Sequence, residues 1–255
     1  MGVKGNVEIP QSMVVYDEEK LISIVYGDIS KTHTPPPPDY FLEHAILAPK
    51  NTDVRETNQR ILDRLPGPEI VLHSADSVET DNLSRDAYGH DNIPEDFLRS
   101  VELSSLPLLE LKVKIRCPLM LLCNLDPSKG LCNRTRFILL HAYTCILEVL
   151  IIGGDHYGET AFIPRITLKP TSHDYPFILK RRQFPVHLSF AMTINKAQGQ
   201  SLKYVGIHLL SPVFCHGQLY VAFLRATSSQ HIHVLLPKTS GNKTLNIVYS
   251  EILID

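Results

Sequence analysis

Thr193-Ile-Asn-Lys-Ala-Gln-Gly-Gln-Ser-Leu202 is one of the two segments that say most about this 255-residue chain. An apolar run at residues 186–190 precedes it and predicts a strand that leads into a polar loop. The loop combines neutral hydrogen-bonding groups, one positive charge and a glycine that lets the backbone approach a ligand. Those groups belong to Thr193, Asn195, Lys196 and Gly199. The composition indicates a phosphate- or nucleic-acid-binding loop, although an ordinary surface turn explains it about as well when it is taken alone.

A second segment, Gly217-Gln-Leu-Tyr-Val-Ala-Phe-Leu-Arg-Ala-Thr-Ser228, predicts a helix over residues 216–226. Gln218, Val221 and Arg225 are spaced i, i+3, i+7, so one side of that helix would face a cleft. An arginine at such a helix end is suited to contact a γ-phosphate and stabilise charge during phosphoryl transfer. For Arg225 alone, a helix-end charge that satisfies terminal carbonyls is the simpler alternative.

The pattern outside these segments predicts an α/β layer interrupted by a small β-rich region. A helix at 51–65 lies between short apolar runs at 45–49 and 70–72, which favours a parallel sheet. Four short β-rich runs between residues 118 and 163 lack a helix and predict a small inserted barrel. Further strands are expected at residues 205–210, 231–236 and 245–249, which would complete the sheet.

Four regions follow from this pattern. They are an N-terminal helix and proline-rich linker at 1–40, a first α/β part at 41–110, an inserted barrel at 111–183 and a second α/β part at 184–255. Within the barrel, Phe137 and Phe162 are expected to be core residues.

Composition restricts the classes of protein and partner. The net charge is −2, so any attraction to nucleic acid must come from local basic clusters. The five cysteines form no C-x-x-C pair and are interpreted as reduced thiols, and no metal site is expected. We expect no signal peptide and no membrane span, which indicates a nuclear or cytosolic protein.

Five motifs in order resemble one known family, the Pif-type DNA helicases of superfamily one. The closest branch is the one encoded by Helitron rolling-circle transposons. Residues 190–202 look like helicase motif V and residues 217–228 like motif VI. The motif IV region is matched by residues 45–54 with Asn58, and the family's 2B segment by residues 117–126, 130–133 and 181–186.

The resemblance implies a RecA-like parallel-sheet motor domain, 2A, with an inserted SH3-like β-barrel, 2B. In intact relatives, lobes 1A and 2A close on ATP and Mg²⁺ and move along single-stranded DNA in the 5′-to-3′ direction. By motif position Arg225 would be the arginine finger, and Gln218, Gly199 and Gln200 would line the nucleotide cleft. DNA contacts would come from Lys50, Asn51, Thr193, Asn195, Lys196 and Gln198.

A basic run, Lys180-Arg181-Arg182, is a further candidate for DNA phosphates. Solvated strand ends explain that run nearly as well.

Departures from the family pattern are equally informative. The 255 residues hold no G-x-x-x-x-G-K-[ST] loop, the backbone cradle that a motor of this kind needs for ATP. That loop and the acidic Mg²⁺-binding segment belong upstream of residue 1. We therefore expect no tight ATP binding by this chain alone, and a separate P-loop lobe is a candidate partner.

Four substitutions also depart from the family. Arg116 and Arg134 stand where relatives usually have glycine, Cys123 replaces an arginine, and Leu224 replaces a serine. If relatives have glycine at positions 116 and 134 because the backbone there has positive φ, the two arginines strain tight turns in this chain. The alternatives to half a helicase are therefore a non-catalytic single-stranded DNA-binding module and a decayed transposon remnant.

Overall fold

The structure is a computed structural model that describes residues 3–27, 29, 36–79, 106–170 and 178–249. These residues form two compact units. One comprises the described parts of Met1–Pro66 and Ser189–Asp255, and the other those of Gly67–Leu188. The second unit is wider than the predicted insertion at 111–183, because the strands on either side of that insertion pair within the same unit.

The α-helices in the described ranges are α1 (Glu18–Tyr26), α2 (Pro38–Glu43), α3 (Asn51–Arg64) and α4 (Gln218–Phe223). Strands up to the middle of the chain are β1 (Val3–Glu8), β2 (Val14–Val15), β3 (His44–Ala48), β4 (Ile70–His73), β5 (Ala75–Glu79), β6 (Glu110–Val113), β7 (Pro118–Leu121), β8 (Arg136–Ala142) and β9 (Ile146–Ile151). The later strands are β10 (Thr160–Pro164), β11 (Ile166–Leu168), β12 (Ile178–Gln183), β13 (Val186–Leu188), β14 (Ala191–Thr193), β15 (Tyr204–His208), β16 (Ile232–Leu235) and β17 (Lys243–Val248). No helix among them is long and apolar enough to cross a bilayer.

A five-stranded sheet in the order β14-β3-β15-β16-β2 forms the first unit, and all its pairings are parallel. Strand β3 is buried at every position, as expected for a parallel sheet covered on both faces. This is the parallel α/β layer that the sequence pattern predicts and the RecA-like sheet that the family resemblance implies. Since the strands are parallel, the loops after β3, β14 and β15 all leave the same edge of the sheet.

Helices α1 and α3 pack on this sheet; α1 is the helix expected within residues 1–40, and α3 confirms the helix predicted at 51–65. The Asp17 side chain caps α1 by accepting a hydrogen bond from the Glu19 N–H at 3.3 Å, and Gly27 ends the helix at φ 57°. The carboxylate of Glu18 lies 3.2 Å from the guanidinium of Arg60, which ties the start of α1 to α3.

Rings of tyrosine and histidine stack across the amino edge of the sheet. The ring centroids of Tyr40 and His44 lie 4.0 Å apart, and those of His44 and Tyr204 lie 4.5 Å apart. Burial lowers the pKa of His44 and raises that of Tyr40 to about 12. Both groups therefore stay neutral at physiological pH and serve as packing.

Two predicted strands of this unit are placed differently by the structure. The strand predicted at 186–190 ends at Leu188 and lies in the second unit, where β13 pairs antiparallel with β7, whereas β14 begins at Ala191 and pairs with β3 in the first unit. Strand β17 does not complete the parallel sheet, because it pairs antiparallel with β1, which sequence reading missed. Its Lys243, Thr244 and Asn246 interrupt the apolar run that a strand buried on both faces requires.

In the second unit, an antiparallel sheet has the order β10-β9-β8-β7-β13 and confirms the predicted β-rich insertion. Phe137 is buried as predicted, but the core prediction for Phe162 is wrong, since that side chain is 57% exposed. In β10 the inward positions are Ala161 and Ile163, so the residue between them must face outward.

Strand β4 also belongs to this second unit, where it pairs antiparallel with β6. The prediction that it joins the parallel sheet is therefore wrong. Val71 is exposed while Leu72 is buried, an alternation typical of an antiparallel strand with one solvated face.

Arg116 and Arg134 are the positive-φ residues other than glycine in the described chain, at φ 71° and 73°. This confirms that both positions favour glycine. Backbone hydrogen bonds fix the two turns, from the N–H of Arg116 to the carbonyl of Leu139 at 2.7 Å and from that of Arg134 to Leu121 at 2.9 Å. Each arginine is therefore held in a left-handed conformation that its Cβ disfavours.

The double variant Arg116→Gly/Arg134→Gly is expected to be more stable than the parent by about 1–2 kcal/mol. Removing each Cβ relieves about 1–2 kcal/mol of strain, and the greater freedom of glycine in the unfolded chain offsets part of that gain. Urea denaturation measures the difference. Arg182→Gly is the matched control on strand β12, where glycine should destabilise; a double variant that also loses stability would contradict the account.

Candidate nucleotide and nucleic-acid interface

The loop after β14 begins with a single helical turn that keeps its polar groups at the surface. The backbone N–H groups of Lys196 and Ala197 donate to the carbonyl of Thr193 at 2.9 and 3.1 Å. Ile194 and Ala197 are fully buried and anchor the turn, whereas Asn195 and Gln198 are exposed. Gly199 adopts φ 87°, which confirms that the turn needs a residue able to take a left-handed conformation.

Asn58 on α3 holds the strand that carries this loop. Its side-chain amide donates to the carbonyl of Ala191 at 2.9 Å and accepts from the Ala191 N–H at 2.8 Å. These two hydrogen bonds take the place of a neighbouring strand at the free edge of β14, so α3 sets the position of the loop. Sequence reading placed Asn58 in the motif IV region but missed this contact. An amide within the apolar stripe of Val54, Ile61 and Leu62 was the available signal.

Arg225 lies beyond the end of α4 and joins the two predicted segments. Its Nε donates to the carbonyl of Val221 at 3.1 Å, and one terminal nitrogen donates to the carbonyl of Gln200 at 3.1 Å. The backbone N–H of Leu202 donates to the Arg225 carbonyl at 2.8 Å. Arg225 is half-buried, so part of the residue remains open to a ligand.

The helix carrying Gln218 is shorter than predicted, since α4 ends at Phe223 and Leu224 is its C-cap. Gln218 and Arg225 therefore do not share one helical face. Gln218 is 2% exposed, and its Oε1 accepts from the N–H of Phe214 at 3.1 Å. In the chain as described, its Nε2 and the Oε1 of Gln200 are buried without a hydrogen-bond partner. Such unpaired buried groups are uncommon and occur at functional sites.

Lys50 and Asn51 lie where β3 gives way to α3. Lys50 is the N-cap residue of that helix, Asn51 is its first residue, and both are exposed. They leave the same edge of the sheet as the loop after β14. The structure therefore brings them to the edge that also carries Thr193 and Lys196.

Successive side chains of the basic run on β12 point to opposite faces of the strand, so they differ in burial. Arg181 is 3% exposed and makes three hydrogen bonds to the Asp76 carboxylate at 2.7–3.0 Å, with a fourth to the carbonyl of Pro107 at 3.1 Å. Arg182 is exposed and Lys180 is half-buried. We therefore correct the DNA-contact prediction for Arg181, because its guanidinium is committed to a buried carboxylate.

Gln183 continues the buried side of the same strand. Its Nε2 donates to the carbonyl of Leu72 at 2.8 Å, and its Oε1 accepts from the N–H of Phe184 at 3.0 Å. Arg165 also donates to this Oε1, at 3.0 Å, and its guanidinium lies 4.5 Å from the centroid of the Phe184 ring. The Arg-Arg-Gln-Phe segment therefore mainly makes hydrogen-bond and packing contacts within the second unit.

The chain is similar to known proteins in family, sequence and fold. The family model described as "DNA helicase Pif1, 2B domain" matches residues 96–141. The ATP-dependent DNA helicase PIF1 of Rattus norvegicus is 32% identical over 192 residues, which are 74% of this chain and 27% of the relative. That of Homo sapiens is 32% identical over 193 residues, 74% of this chain and 26% of the relative.

Solved structures of the same fold include a Bacteroides Pif1 bound to single-stranded DNA, at a TM-score of 0.54 and 22% identity, covering 88% of this chain and 54% of that one. Pif1 helicase from Candida albicans has a TM-score of 0.54 at 20% identity, covering 85% of this chain and 53% of that one. The chain thus spans about a quarter of the length of its curated relatives. It belongs to the Pif1-type DNA helicase family and matches the C-terminal region of that family.

Proposed function

We propose that the chain is the arginine-bearing half of a Pif-type ATP-dependent DNA helicase that moves 5′-to-3′ along single-stranded DNA. In this proposal a P-loop lobe, from a longer chain or from a partner, supplies the phosphate cradle. The hydrogen bond from Arg225 to the carbonyl of Gln200 carries the proposal. It ties the side chain that would meet the γ-phosphate to the loop that would meet DNA.

The residues present fit one side of an ATP site. The half-buried Arg225 offers charge-assisted donors to phosphate oxygens, and the unpaired Oε1 of Gln200 and Nε2 of Gln218 offer polar contacts. Bound ATP with Mg²⁺ would supply the transferable phosphoryl group. Arg225 would then stabilise negative charge as it develops on that group. Without the G-x-x-x-x-G-K-[ST] cradle, the chain alone would hold no nucleotide in place.

Coupling to DNA would follow from the same connection. Thr193, Asn195, Lys196 and Gln198 would contact the strand, and a displacement of their loop would shift the carbonyl of Gln200. Because that carbonyl accepts from Arg225, DNA binding would reposition the guanidinium. Because the proposed substrate is DNA, a nuclear location is part of the same proposal.

Reconstitution tests the proposal. The chain is joined by a flexible linker to the P-loop lobe of a Pif1 relative, and phosphate release is measured with and without single-stranded DNA. We expect DNA-stimulated hydrolysis that neither part shows alone. A well-folded fusion that binds ATP and DNA but shows no stimulated hydrolysis would refute the proposal.

A second candidate is a single-stranded DNA-binding module without catalysis, and the exposed Lys50 and Arg182 favour it. Neutralising one phosphate contact should flatten the dependence of log K on log [salt] by about 0.7. Arg182→Ala is therefore expected to reduce both affinity and salt slope in fluorescence anisotropy with an oligothymidine. Lys20→Ala, an exposed lysine on α1, is the matched control. Equal slopes for the parent and Arg182→Ala would exclude a phosphate contact there.

A further inference from the structure

A groove of about 490 Å³ opens in the first unit beside the amino end of α3. Its lining includes Lys50, Val213, Phe214, Leu245, Ile247 and Tyr249. Lys50 follows β3, and Val213 with Phe214 follows β15. Since β3 and β15 are parallel neighbours, the groove lies at the edge of the sheet where their carboxyl ends meet. Its size is within the range of ligand-binding clefts.

Two aromatic rings in this groove remain open to solvent. Phe214 is 53% exposed and Tyr249 is 38% exposed, although each could bury a large apolar surface. The backbone of Phe214 and the ring of Tyr249 are also held in position. The N–H of Phe214 donates to Gln218, and the Tyr249 ring stacks on His216 at 5.4 Å between centroids. The N–H of Tyr249 donates to His216 Nδ1 at 2.9 Å.

Charge narrows the choice of ligand. Lys50 is the one charged side chain among the lining residues, and the described chain offers its ammonium no ion-pair partner. An apolar segment of protein in the groove would leave that cation without a counter-charge. A ligand that joins a flat ring to an anionic group would satisfy both the aromatic rings and the lysine. A nucleotide unit has that chemistry.

We propose that the groove holds one nucleotide of single-stranded DNA, with its base against Phe214 and Tyr249 and its phosphate at Lys50. The inference rests on the proposed DNA-binding function and adds a base-stacking site to it. Stacking on an aromatic side chain tolerates every base. Phe214 and Tyr249 therefore strengthen binding without selecting a sequence, whereas Lys50 makes it depend on salt.

The test compares Phe214→Ala with the parent chain by fluorescence anisotropy on labelled oligothymidine and on the same oligonucleotide with abasic positions. Phe214→Ala is expected to weaken binding of the normal strand by about 5- to 150-fold, the range measured for loss of one base stack. On the abasic strand the two proteins should bind alike. Tyr220→Ala, which removes an exposed ring of α4 outside the groove, should match the parent on both strands.

Each other outcome is decisive. If the parent binds DNA and Phe214→Ala binds equally well, the groove is not a base site, and the proposed function stands. If the parent binds no single-stranded DNA, the base site and the DNA-binding module both fail, and the fusion with a P-loop lobe decides the helicase proposal separately. Phe214→Leu keeps the apolar volume without the π face, and thermal melting of each variant checks the fold. Full affinity in a folded Phe214→Leu protein would show that stacking contributes nothing.

Discussion

Replacing Arg225 by alanine is expected to lower DNA-stimulated ATP turnover of the reconstituted two-lobe enzyme by about 10³- to 10⁵-fold. That range is what an arginine finger contributes by stabilising charge on the transferred phosphoryl group. The half-buried guanidinium is already held by the carbonyls of Val221 and Gln200, so little ordering is needed when the lobes close. Single-turnover phosphate release at saturating ATP measures the change.

One further variant and one further measurement test whether the effect is specific to the proposed role of Arg225. Arg225→Lys keeps the charge but loses the planar fork of donors, so it should restore only a small part of the rate. Single-stranded DNA affinity of Arg225→Ala should stay within a few-fold of the parent in anisotropy experiments. Turnover within about ten-fold of the parent would mean that Arg225 is a structural helix-end charge, and the proposed role would be abandoned.

Replacing Arg181 by alanine is expected to destabilise the second unit by about 3–5 kcal/mol. The change removes four hydrogen bonds and leaves the buried Asp76 carboxylate without its counter-charge. Chemical denaturation followed by circular dichroism measures the loss. Much of the variant should unfold at a denaturant concentration where the parent remains folded.

The neighbouring Arg182→Ala is the matched control, because that side chain is exposed and its loss should change stability by about 0.5 kcal/mol or less. Arg181→Met combined with Asp76→Leu removes both charges and should recover most of the stability. If Arg181→Ala were as stable as Arg182→Ala, the buried pair would not organise this unit. The DNA-contact role for Arg181 would then be open again.

Much of the fold was predictable because local signals and tertiary packing agree. Helix α1 has its cap at Asp17 and its stop at Gly27, and the apolar run of β3 requires burial on both faces. The resemblance to helicase motifs added the order of the elements and the expectation that residues 193–202 and 217–228 form one site. The positive φ of Arg116 and Arg134 was inferred the same way, from the glycines that they replace.

The remaining features depend on pairings between distant residues, which local patterns do not encode. The strand predicted at 186–190 ends at Leu188, and only the different partners of β13 and β14 show that the chain passes there from one sheet to another. Arg181 and Arg182 are chemically alike, and the strand register decides which of them meets Asp76. Phe214 and Tyr249 are 35 residues apart in the sequence and share a groove only after folding.

The proposal that this chain is half of a motor is tested by phosphate release from the purified 255 residues with saturating ATP, Mg²⁺ and single-stranded DNA. We expect a rate no higher than that of buffer alone, because Arg225 without a P-loop has no bound phosphate to act on. Robust DNA-stimulated turnover that disappears in Arg225→Ala would contradict it. That result would require a complete ATP site within these residues.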